Sequence, residues 1–442
     1  MNDIDRYQLN IIKKCKDFVN RSYKKKIDIS SSPLCFLTTW AKNPGNSILR
    51  TFLNKPLEIG YLIKNILRIS KNHDLSFFCN KKLDINNNIQ VIISYSTKNN
   101  FDKDGVFYDH YFNSNNKNKK NIWFLISLDN YIPNKLNQNI IIFSKKKKNS
   151  FNFVYFFKSL FFLILENKFS WTKFMYYSWF EYDFAKQVSK NFRKIFNGKK
   201  IKKVILNYES IPFQNMLLKT IKGINKKTIT IGYLHCAPWP IQTDLIFRKI
   251  LLDKLLVSSK EQKKVLINFL GWRKKNITVI PSLRFEKKKK KQLNGYVFLP
   301  FNLEKQNNYL KRFEELIIEN KKNFGKIKIR IHPLNKKSLI HLEMASKFKK
   351  IISLNKKNFN GKKKNLSFFF GSATGVCIQA LEEGTKIIHF PDDKIDIFSS
   401  KIWKPIKVSF LQEGIFTYEL KKYNKLFLVN YEKNKSKKYL SI

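Results

Sequence analysis

Small and hydroxyl-bearing residues separate an aromatic run from an apolar segment near the C-terminal end of the chain. The run Ser367–Phe370 predicts a buried strand, and the segment that follows the small residues predicts a helix ending at Gly384. The first turn of a helix offers unpaired N–H groups to an anion, and glycine lets a phosphate approach the backbone closely. A hydroxyl in this turn can equally cap the helix. The candidate phosphate-binding residues are Ser372, Ala373, Thr374 and Gly375.

A histidine occupies a comparable position at the end of an earlier strand. In the stretch "IRIHP", His332 directly precedes Pro333, and proline prevents the chain from continuing as a helix. An imidazole in such a place can donate a hydrogen bond to a phosphate oxygen. A lone histidine is more often structural, but His332 and Ser372 both follow strands of the same predicted sheet. We therefore expect the two side chains to reach one ligand.

Two more polar residues follow strands in the first half of the chain. Glu209 stands in "NYESIP" just before Pro212, and a carboxylate that faces a cleft can act as a general base towards a hydroxyl. The alternative is an acid favoured by the dipole of the following helix. His235, in "GYLHCAPWP", is the second candidate for the base, and nearby Trp239 suits stacking on a sugar or a nucleobase. A packed loop explains this second stretch equally well.

Arg284 differs from the residues around it, because it is an arginine in a chain dominated by lysine. It follows the stretch "IPSL" at the predicted crossing between two halves of the chain. A planar guanidinium binds phosphate through two parallel hydrogen bonds, which a lysine cannot do. We expect Arg284 to contact a phosphate, with an ordinary surface ion pair as the alternative.

Alternating strands and helices carry these residues. Short apolar or β-branched runs alternate with helical segments from about residue 89 onward, which is typical of βαβ units with a parallel sheet. The apolar pattern stops in a lysine-rich stretch and resumes at Tyr296. We predict an α/β fold of two Rossmann-like domains, 1–285 and 296–442, joined by a linker over 286–295 and facing across a cleft. The first 85 residues show no clear pattern apart from a strand predicted at Leu34–Trp40.

Composition favours a globular protein with a solvated basic surface. The 442 residues carry a formal net charge of +54, but the lysines occur as short scattered runs, which argues against a specific nucleic-acid site. Such a surface can also contact an anionic membrane. The five cysteines contain no CxxC pair, so neither a disulfide framework nor a zinc site is predicted. Since the N-terminus lacks signal-peptide features and Phe151–Leu165 is too short to span a bilayer, we expect a cytoplasmic protein.

The motifs around His332 and Ser372 resemble those of the GT-B class of bacterial glycosyltransferases that assemble surface polysaccharide and lipopolysaccharide. The "HP" motif and the small-hydroxyl turn are similar to those of bacterial sialyltransferases and polyglycerol-phosphate polymerases. The resemblance implies a donor nucleotide, CMP- or UDP-activated, held in the second domain, an acceptor in the first, and no metal. Many such enzymes hold the ribose with a glutamate where Gln379 stands here, so the resemblance implies either that Glu382 or Glu383 takes that role or that the ribose is held differently.

Three functions follow from these expectations. The first is sugar transfer from a nucleotide-activated donor to a glycan or glycolipid acceptor, at the inner face of the cytoplasmic membrane. The second is transfer of glycerol phosphate or ribitol phosphate from a CDP-activated donor. The third is a basic protein without catalytic activity that binds anionic lipid or nucleic acid, for which convergent phosphate-facing groups at successive strand ends would not be needed.

Overall fold

The fold is known from a computed structural model, which describes most of the chain. The described residues are 2–24, 26, 28, 30, 75–80, 89–118, 120–145, 157, 161, 180–236, 238–283, 295–301, 303, 306–320, 324–332, 335–359, 365–372 and 375–421. Of the sequence predictions, the strand at 34–40 lies outside these ranges, as does the linker at 286–295 apart from Gly295. Most of the aromatic segment 151–165 lies outside them as well.

Strands and helices alternate along most of the described chain. The strands are β1 Leu75–Cys79, β2 Ile89–Ser96, β3 Tyr108–Asp109, β4 Ser114–Asn115, β5 Asn121–Ser127, β6 Ile140–Lys145, β7 Ile201–Asn207, β8 Ile229–Leu234, β9 Lys254–Val257, β10 Ile277–Val279, β11 Tyr296–Phe298, β12 Lys328–Arg330, β13 Leu366–Phe370, β14 Lys386–Phe390, β15 Ile406–Gln412 and β16 Ile415–Leu420. The helices are α1 Asn2–Lys24, α2 Phe180–Phe196, α3 Pro212–Ile224, α4 Lys260–Asn268, α5 Gln306–Asn320, α6 Leu339–Leu354 and α7 Gly375–Glu382.

The first sheet has eight strands in the order β1-β6-β5-β2-β7-β8-β9-β10. All neighbours pair in parallel except the edge strand β1, which runs antiparallel to β6. Its central strands are continuous apolar runs, such as "IWFLI" in β5, because helices and loops cover both faces of a parallel sheet. The chain places β5 and β6 on one side of β2, and then β7 to β10 on the other side. The reversal between β2 and β7 is the point where open α/β sheets bind ligands.

The second sheet has six strands in the order β12-β11-β13-β14-β16-β15. The first four pair in parallel, whereas β16 pairs antiparallel with both β14 and β15. The chain places β12 on one side of β11 and β13 on the other. The turn that follows β13 therefore stands at the point where the strand order reverses, which is the switch point of this sheet. Phenylalanine rings fill the core between the sheet and its helices, with Phe370 and Phe390 stacked at 4.4 Å between ring centroids.

The predicted α/β class with two parallel-rich sheets is confirmed. Each sheet takes its strands from one half of the chain: β1, β2 and β5 to β10 form the first and β11 to β16 the second, while β3 and β4 pair only with each other. The domain boundaries at 285 and 296 remain a prediction. In the described part of the chain, no helix is both long enough and apolar enough to cross a membrane.

Helix α1 is the main element that the sequence interpretation missed. Its buried residues Ile4, Ile12, Cys15 and Val19 recur every three to four positions or multiples of that spacing, which places them on one helical face. That face contacts both halves of the molecule. Gln8 Nε2 donates to the carbonyl of Ile397 at 2.6 Å, between α1 and the second half. The Tyr23 hydroxyl, near the other end of α1, donates to a backbone carbonyl of the first half at Arg248.

Candidate active site

The carboxyl ends of three neighbouring strands bring polar side chains together in the first sheet. Tyr95 is the penultimate residue of β2, Glu209 follows β7, and His235 follows β8 directly. Because these strands are parallel neighbours, their ends meet at one edge, next to the switch point between β2 and β7. The two residues predicted to be catalytic from the sequence therefore lie side by side.

Glu209 and His235 form a direct contact. Glu209 Oε1 lies 3.3 Å from His235 Nε2, and the side chains are 16% and 3% exposed. Partial burial strengthens an electrostatic contact because less water screens it. The small exposed fraction of Glu209 leaves its carboxylate within reach of a ligand. Such a pair can accept a proton from a hydroxyl, which is general-base chemistry.

Gln214 of α3 fixes the backbone and side chain around Glu209. Its Oε1 accepts a hydrogen bond from the Glu209 N–H at 2.8 Å, and its Nε2 donates to the Asn207 carbonyl at 2.6 Å. The Tyr95 hydroxyl donates to Glu209 Oε2 at 3.4 Å. Burial, and then the neighbouring Glu209 carboxylate, raise the pKa of Tyr95 well above its ordinary value, so this hydroxyl stays protonated and keeps donating.

The hairpin β3–β4 holds His235 from the other side. Tyr111, in its turn, contacts the imidazole edge to face, with 4.4 Å between ring centroids. The turn is held by the fully buried Asp109, whose Oδ1 accepts from the N–H groups of Tyr111 and Phe112 at 2.7 Å each. Burial raises the pKa of Asp109 from 3.8 to about 6, although the backbone hydrogen bonds oppose the shift.

Ser210, the neighbour of Glu209, has a left-handed backbone with φ of +63°, which is unfavourable for a residue with a side chain. Arg248 holds this conformation from a position that is 1% exposed. Its Nη2 donates to the Ser210 carbonyl at 3.1 Å and also to the Ser210 hydroxyl. Asn215 of α3 donates to the same carbonyl at 3.1 Å. The strained turn orients the backbone immediately after Glu209.

A pocket opens beside the Glu209–His235 pair. Its polar lining among the described residues comes from Glu209, Gln242 and Asp244, with Trp239 beside them. Gln242 is 3% exposed, and neither its Nε2 nor its Oε1 has a hydrogen-bond partner among the described residues. Trp239 lines the pocket, and its stacking on a sugar or nucleobase stays a prediction.

Glu209, His235 and Cys236 offer one carboxylate oxygen, one imidazole nitrogen and one thiol sulfur within 4.8 Å of one another. Cys236 Sγ lies 3.1 Å from the same His235 Nε2 that faces Glu209. These donor types suit Zn²⁺, and three protein ligands with an open position are typical of a catalytic zinc site. The same contacts are also ordinary hydrogen bonds of a carboxylate–imidazole pair. The two interpretations differ in what a chelator should do.

In the second sheet, His332 and Ser372 follow β12 and β13, which flank β11. Both residues follow the carboxyl ends of their strands, and two strand spacings amount to about 10 Å. The His332 ring contacts Phe301 edge to face, at 5.2 Å between centroids. The Ser372 hydroxyl donates to Asp396 Oδ1 at 2.5 Å, so its one proton is already engaged. A phosphate at this turn would therefore depend on backbone N–H groups and on His332.

The strand before Ser372 and the helix after it end and begin close to where the sequence predicts. Gly371 has φ of +72°, and helix α7 begins at Gly375. Gly384, with φ of +81°, ends that helix, as expected for the residue after a C-cap. Glu382 lies in the last turn of α7, about 10 Å from its N-terminus at 1.5 Å per residue. The predicted phosphate-binding residues Arg284, Ala373 and Thr374 lie outside the described residues.

Sequence interpretation missed the residues that reach this site from a distance. They are Tyr95, Tyr111, Gln214, Gln242, Asp244 and Arg248. Tyr95 could have been found because it ends a buried strand, and Arg248 because arginine is unusual in a lysine-rich chain. The directions of Gln214 and Gln242 depend on how a helix and a loop pack, which no sequence spacing reveals.

Comparison with known proteins yields distant structural similarity only. No family model matches the chain, and no curated protein matches it. Among solved structures, the chain is similar to the lipopolysaccharide outer core galactosyltransferase WaaB in its apo form, with 13% identity over 68% of this chain and 80% of that chain. The TM-score is 0.31, which is too low to support an argument about this protein. The functional proposal therefore rests on the residues themselves.

Proposed function

We propose that the protein is a glycosyltransferase that moves a sugar from a nucleotide-activated donor, such as a CMP- or UDP-sugar, to a hydroxyl of a glycan or glycolipid. The observation that carries the proposal is the Glu209–His235 contact of 3.3 Å at the switch point of the first sheet. A half-buried carboxylate beside an imidazole, open to a pocket, suits the removal of a proton from a hydroxyl.

In the proposed reaction the acceptor oxygen attacks the anomeric carbon of the donor sugar. The bond from that carbon to the donor phosphate oxygen breaks, and the nucleotide leaves with the bonding electrons. The hydroxyl proton passes to the pair, with Glu209 as the base and His235 as the partner that stabilises its charge. No metal ion takes part in this scheme.

The donor phosphate is proposed to bind at the switch point of the second sheet. Backbone N–H groups at the start of α7 offer donors to an anion, and His332 can donate from the end of β12. Arg284, Thr374 and Glu382 belong to the same proposal. The hydrogen bond from Ser372 to Asp396 orients this turn, so we expect Ser372 to act mainly through the turn's shape.

A thermal-shift panel of CMP, CDP, UDP and GDP tests the donor site. A nucleotide that binds only the folded state stabilises it by about 2.7 kcal/mol at a hundred times its dissociation constant. We expect one nucleotide to raise the unfolding temperature, and His332→Ala and Ser372→Ala each to reduce that shift. Ser409→Ala, on the edge strand β15, is the matched control for Ser372→Ala and should leave the shift unchanged. A panel without any response would contradict the proposal.

A further inference from the structure

Three electron-pair donors from different side chains face one another beside the pocket of the first sheet. Glu209 Oε1 lies 3.3 Å from His235 Nε2, and Cys236 Sγ lies 3.1 Å from the same nitrogen. An imidazole nitrogen carries either one proton or one lone pair, so it cannot bond fully with both neighbours at once. A cation can bond with all three, because a carboxylate oxygen, an imidazole nitrogen and a thiolate sulfur each offer it a lone pair.

The spacing of these atoms fits a tetrahedral zinc ion. With bonds of about 2.0–2.3 Å, the donor atoms of such a site lie about 3.3–3.6 Å apart. The oxygen–nitrogen distance is already in this range, and the sulfur–nitrogen distance would have to lengthen by a few tenths of an ångström. All three donor atoms lie within 4.8 Å of one another. The ligands are therefore close to a zinc geometry before any ion arrives.

The pocket beside the cluster has room for a fourth ligand. Glu209 and Cys236 both line it, and its cavity volume of about 30 Å³ can hold a water molecule. The described lining contains the carboxylates of Glu209 and Asp244 and no lysine or arginine. The local charge therefore attracts a cation, although the chain as a whole is strongly basic.

Neighbouring residues hold two of the three ligands. The Tyr95 hydroxyl donates to Glu209 Oε2, whereas Oε1 is the oxygen that faces His235. Tyr111 packs edge to face on the imidazole. Partners that contact the ligands and not the ion commonly orient the side chains of zinc sites. The cluster therefore needs little rearrangement to bind a metal.

We infer that Glu209, His235 and Cys236 form a reversible Zn²⁺ site, and that a bound ion stops the transfer reaction. The proposed base must use a lone pair of the Glu209 carboxylate to accept the hydroxyl proton, and the ion would occupy that carboxylate. The inhibition rests on the proposed function, whereas the metal site does not. The inference also gives a role to the Cys236 thiol, which the proposed reaction does not use.

Zinc binding to the full-length protein, treated with EDTA and then desalted, tests the site. Competition with a chromophoric chelator should give one Zn²⁺ per protein, and Cys236→Ser should weaken the binding at least ~10-fold. Cys79→Ser is the matched control and should bind as the original protein does, since Cys79 is also a partly buried cysteine but lies outside the cluster.

Cobalt provides a second measurement that needs no variant. Co²⁺ added in place of Zn²⁺ should give the charge-transfer absorption of a cobalt–thiolate bond in the original protein, and Cys79→Ser should keep that absorption. Mg²⁺ prefers oxygen ligands, so it should neither compete with Zn²⁺ nor inhibit transfer.

The transfer assay tests the inhibition, with the nucleotide sugar that the thermal-shift panel identifies. Each protein is compared with its own rate in EDTA. At ten times the dissociation constant for Zn²⁺, the original protein and Cys79→Ser should each slow about tenfold, because about a tenth of the protein stays free of metal. At the same Zn²⁺ concentration, Cys236→Ser should keep about half of its own rate or more.

Three results would overturn the inference: no stoichiometric Zn²⁺ binds, Cys236→Ser and Cys79→Ser bind it equally, or Zn²⁺ raises the rate of transfer. The last result would make the ion part of the reaction. These failures differ from a failure of the proposed function. A nucleotide thermal shift without zinc binding would remove only the metal site. Zinc binding that depends on Cys236, without any nucleotide response, would remove the transferase and the inhibition and keep the metal site.

Discussion

Glu209 Oε1 and His235 Nε2 lie 3.3 Å apart, although each residue leaves a different strand of the first sheet. The contact exists because β7 and β8 are parallel neighbours whose carboxyl ends meet at one edge. Gln214 accepts a hydrogen bond from the Glu209 backbone N–H, Tyr95 donates to the Glu209 carboxylate, and Tyr111 packs on His235, so other residues help to hold both members of the pair. A preorganised pair of this kind suits a reaction in which a proton moves at a defined place.

Replacing Glu209 by glutamine should remove the base and leave the shape of the site. With the nucleotide sugar identified by the thermal-shift panel, we expect the transfer rate of Glu209→Gln to fall by about 10²- to 10⁴-fold, the usual contribution of a general base. The nucleotide-induced thermal shift should remain, because donor binding is assigned to the other sheet. Glu315→Gln, on the exposed part of α5, is the control and should transfer at the original rate. A Glu209→Gln variant with full activity would place the base elsewhere.

Chelation separates the two interpretations of the Glu209, His235 and Cys236 cluster. If these residues act as a proton-accepting pair with a nearby thiol, treatment with EDTA should leave transfer unchanged, and Cys236→Ser should keep most of the rate. Metal analysis of the purified protein should then find no stoichiometric zinc. The opposite result, in which EDTA abolishes activity and Zn²⁺ restores it, would identify a metal centre and withdraw the role of Glu209 as a base.

Asp109 should make the folded protein less stable as pH rises from about 4 to about 6. Its carboxyl has a pKa of about 6 when folded, against 3.8 as the ordinary value, because burial disfavours the charge. The folded state therefore binds more protons than the unfolded state in this range, so stability is full below it and is lost as pH rises through it. Asp109→Asn keeps an Oδ1 that can accept both backbone hydrogen bonds.

Chemical denaturation from pH 4 to pH 7 measures this effect. We expect Asp109→Asn to be more stable than the original protein at pH 7, by on the order of 2–3 kcal/mol, and similar to it near pH 4. Asp102→Asn is a matched surface control, because exposed Asp102 also accepts two backbone N–H groups through Oδ1. Equal pH profiles for the Asp109→Asn variant and the original protein would show that this carboxyl is not desolvated.

Gly371 should tolerate no side chain at the switch point of the second sheet. Its φ is +72°, and an added Cβ would lie 2.9 Å from Pro300 Cβ and 3.1 Å from the Tyr309 hydroxyl. Gly198 has a similar φ of +74° with nothing within 4 Å of the same position. We expect Gly198→Ala to cost about 1 kcal/mol for backbone strain alone, and Gly371→Ala to cost about 2–4 kcal/mol because crowding is added. Equal losses of unfolding free energy would show that the turn around Gly371 relaxes.

The sequence predicted the parts of this molecule that local patterns control. Apolar runs indicated the parallel strands, and Glu209 and His235 were singled out because each follows a strand. Their contact was not predicted, and it arises because β7 and β8 are parallel neighbours. Gln242 and Arg248 could not be predicted in the same way, since each acts through a loop whose path is set by packing. The site roles of His332 and Ser372 stay predictions. The Ser372 hydroxyl, which was expected to bind phosphate, donates a hydrogen bond to Asp396, and the sequence did not indicate this partner.

Helix α1 shows a different limit of sequence interpretation. The buried residues of this helix recur at helical spacing, but the acidic and basic residues between them mask the apolar pattern. Gln8 and Asp5 on that face are buried polar residues, so a search for apolar periodicity alone passes over them. Both side chains can be buried because they form hydrogen bonds with residues that are close only in the folded chain.

The contact of Gln8 with Ile397 also bears on the order in which the protein forms on the ribosome. The two partners are 389 residues apart, so Gln8 is synthesised long before Ile397. Domains generally fold in the order in which they are made. The part of helix α1 around Gln8 must therefore wait for the residues near Ile397 before it can dock there, and this contact would form later than the contact between Tyr23 and Arg248.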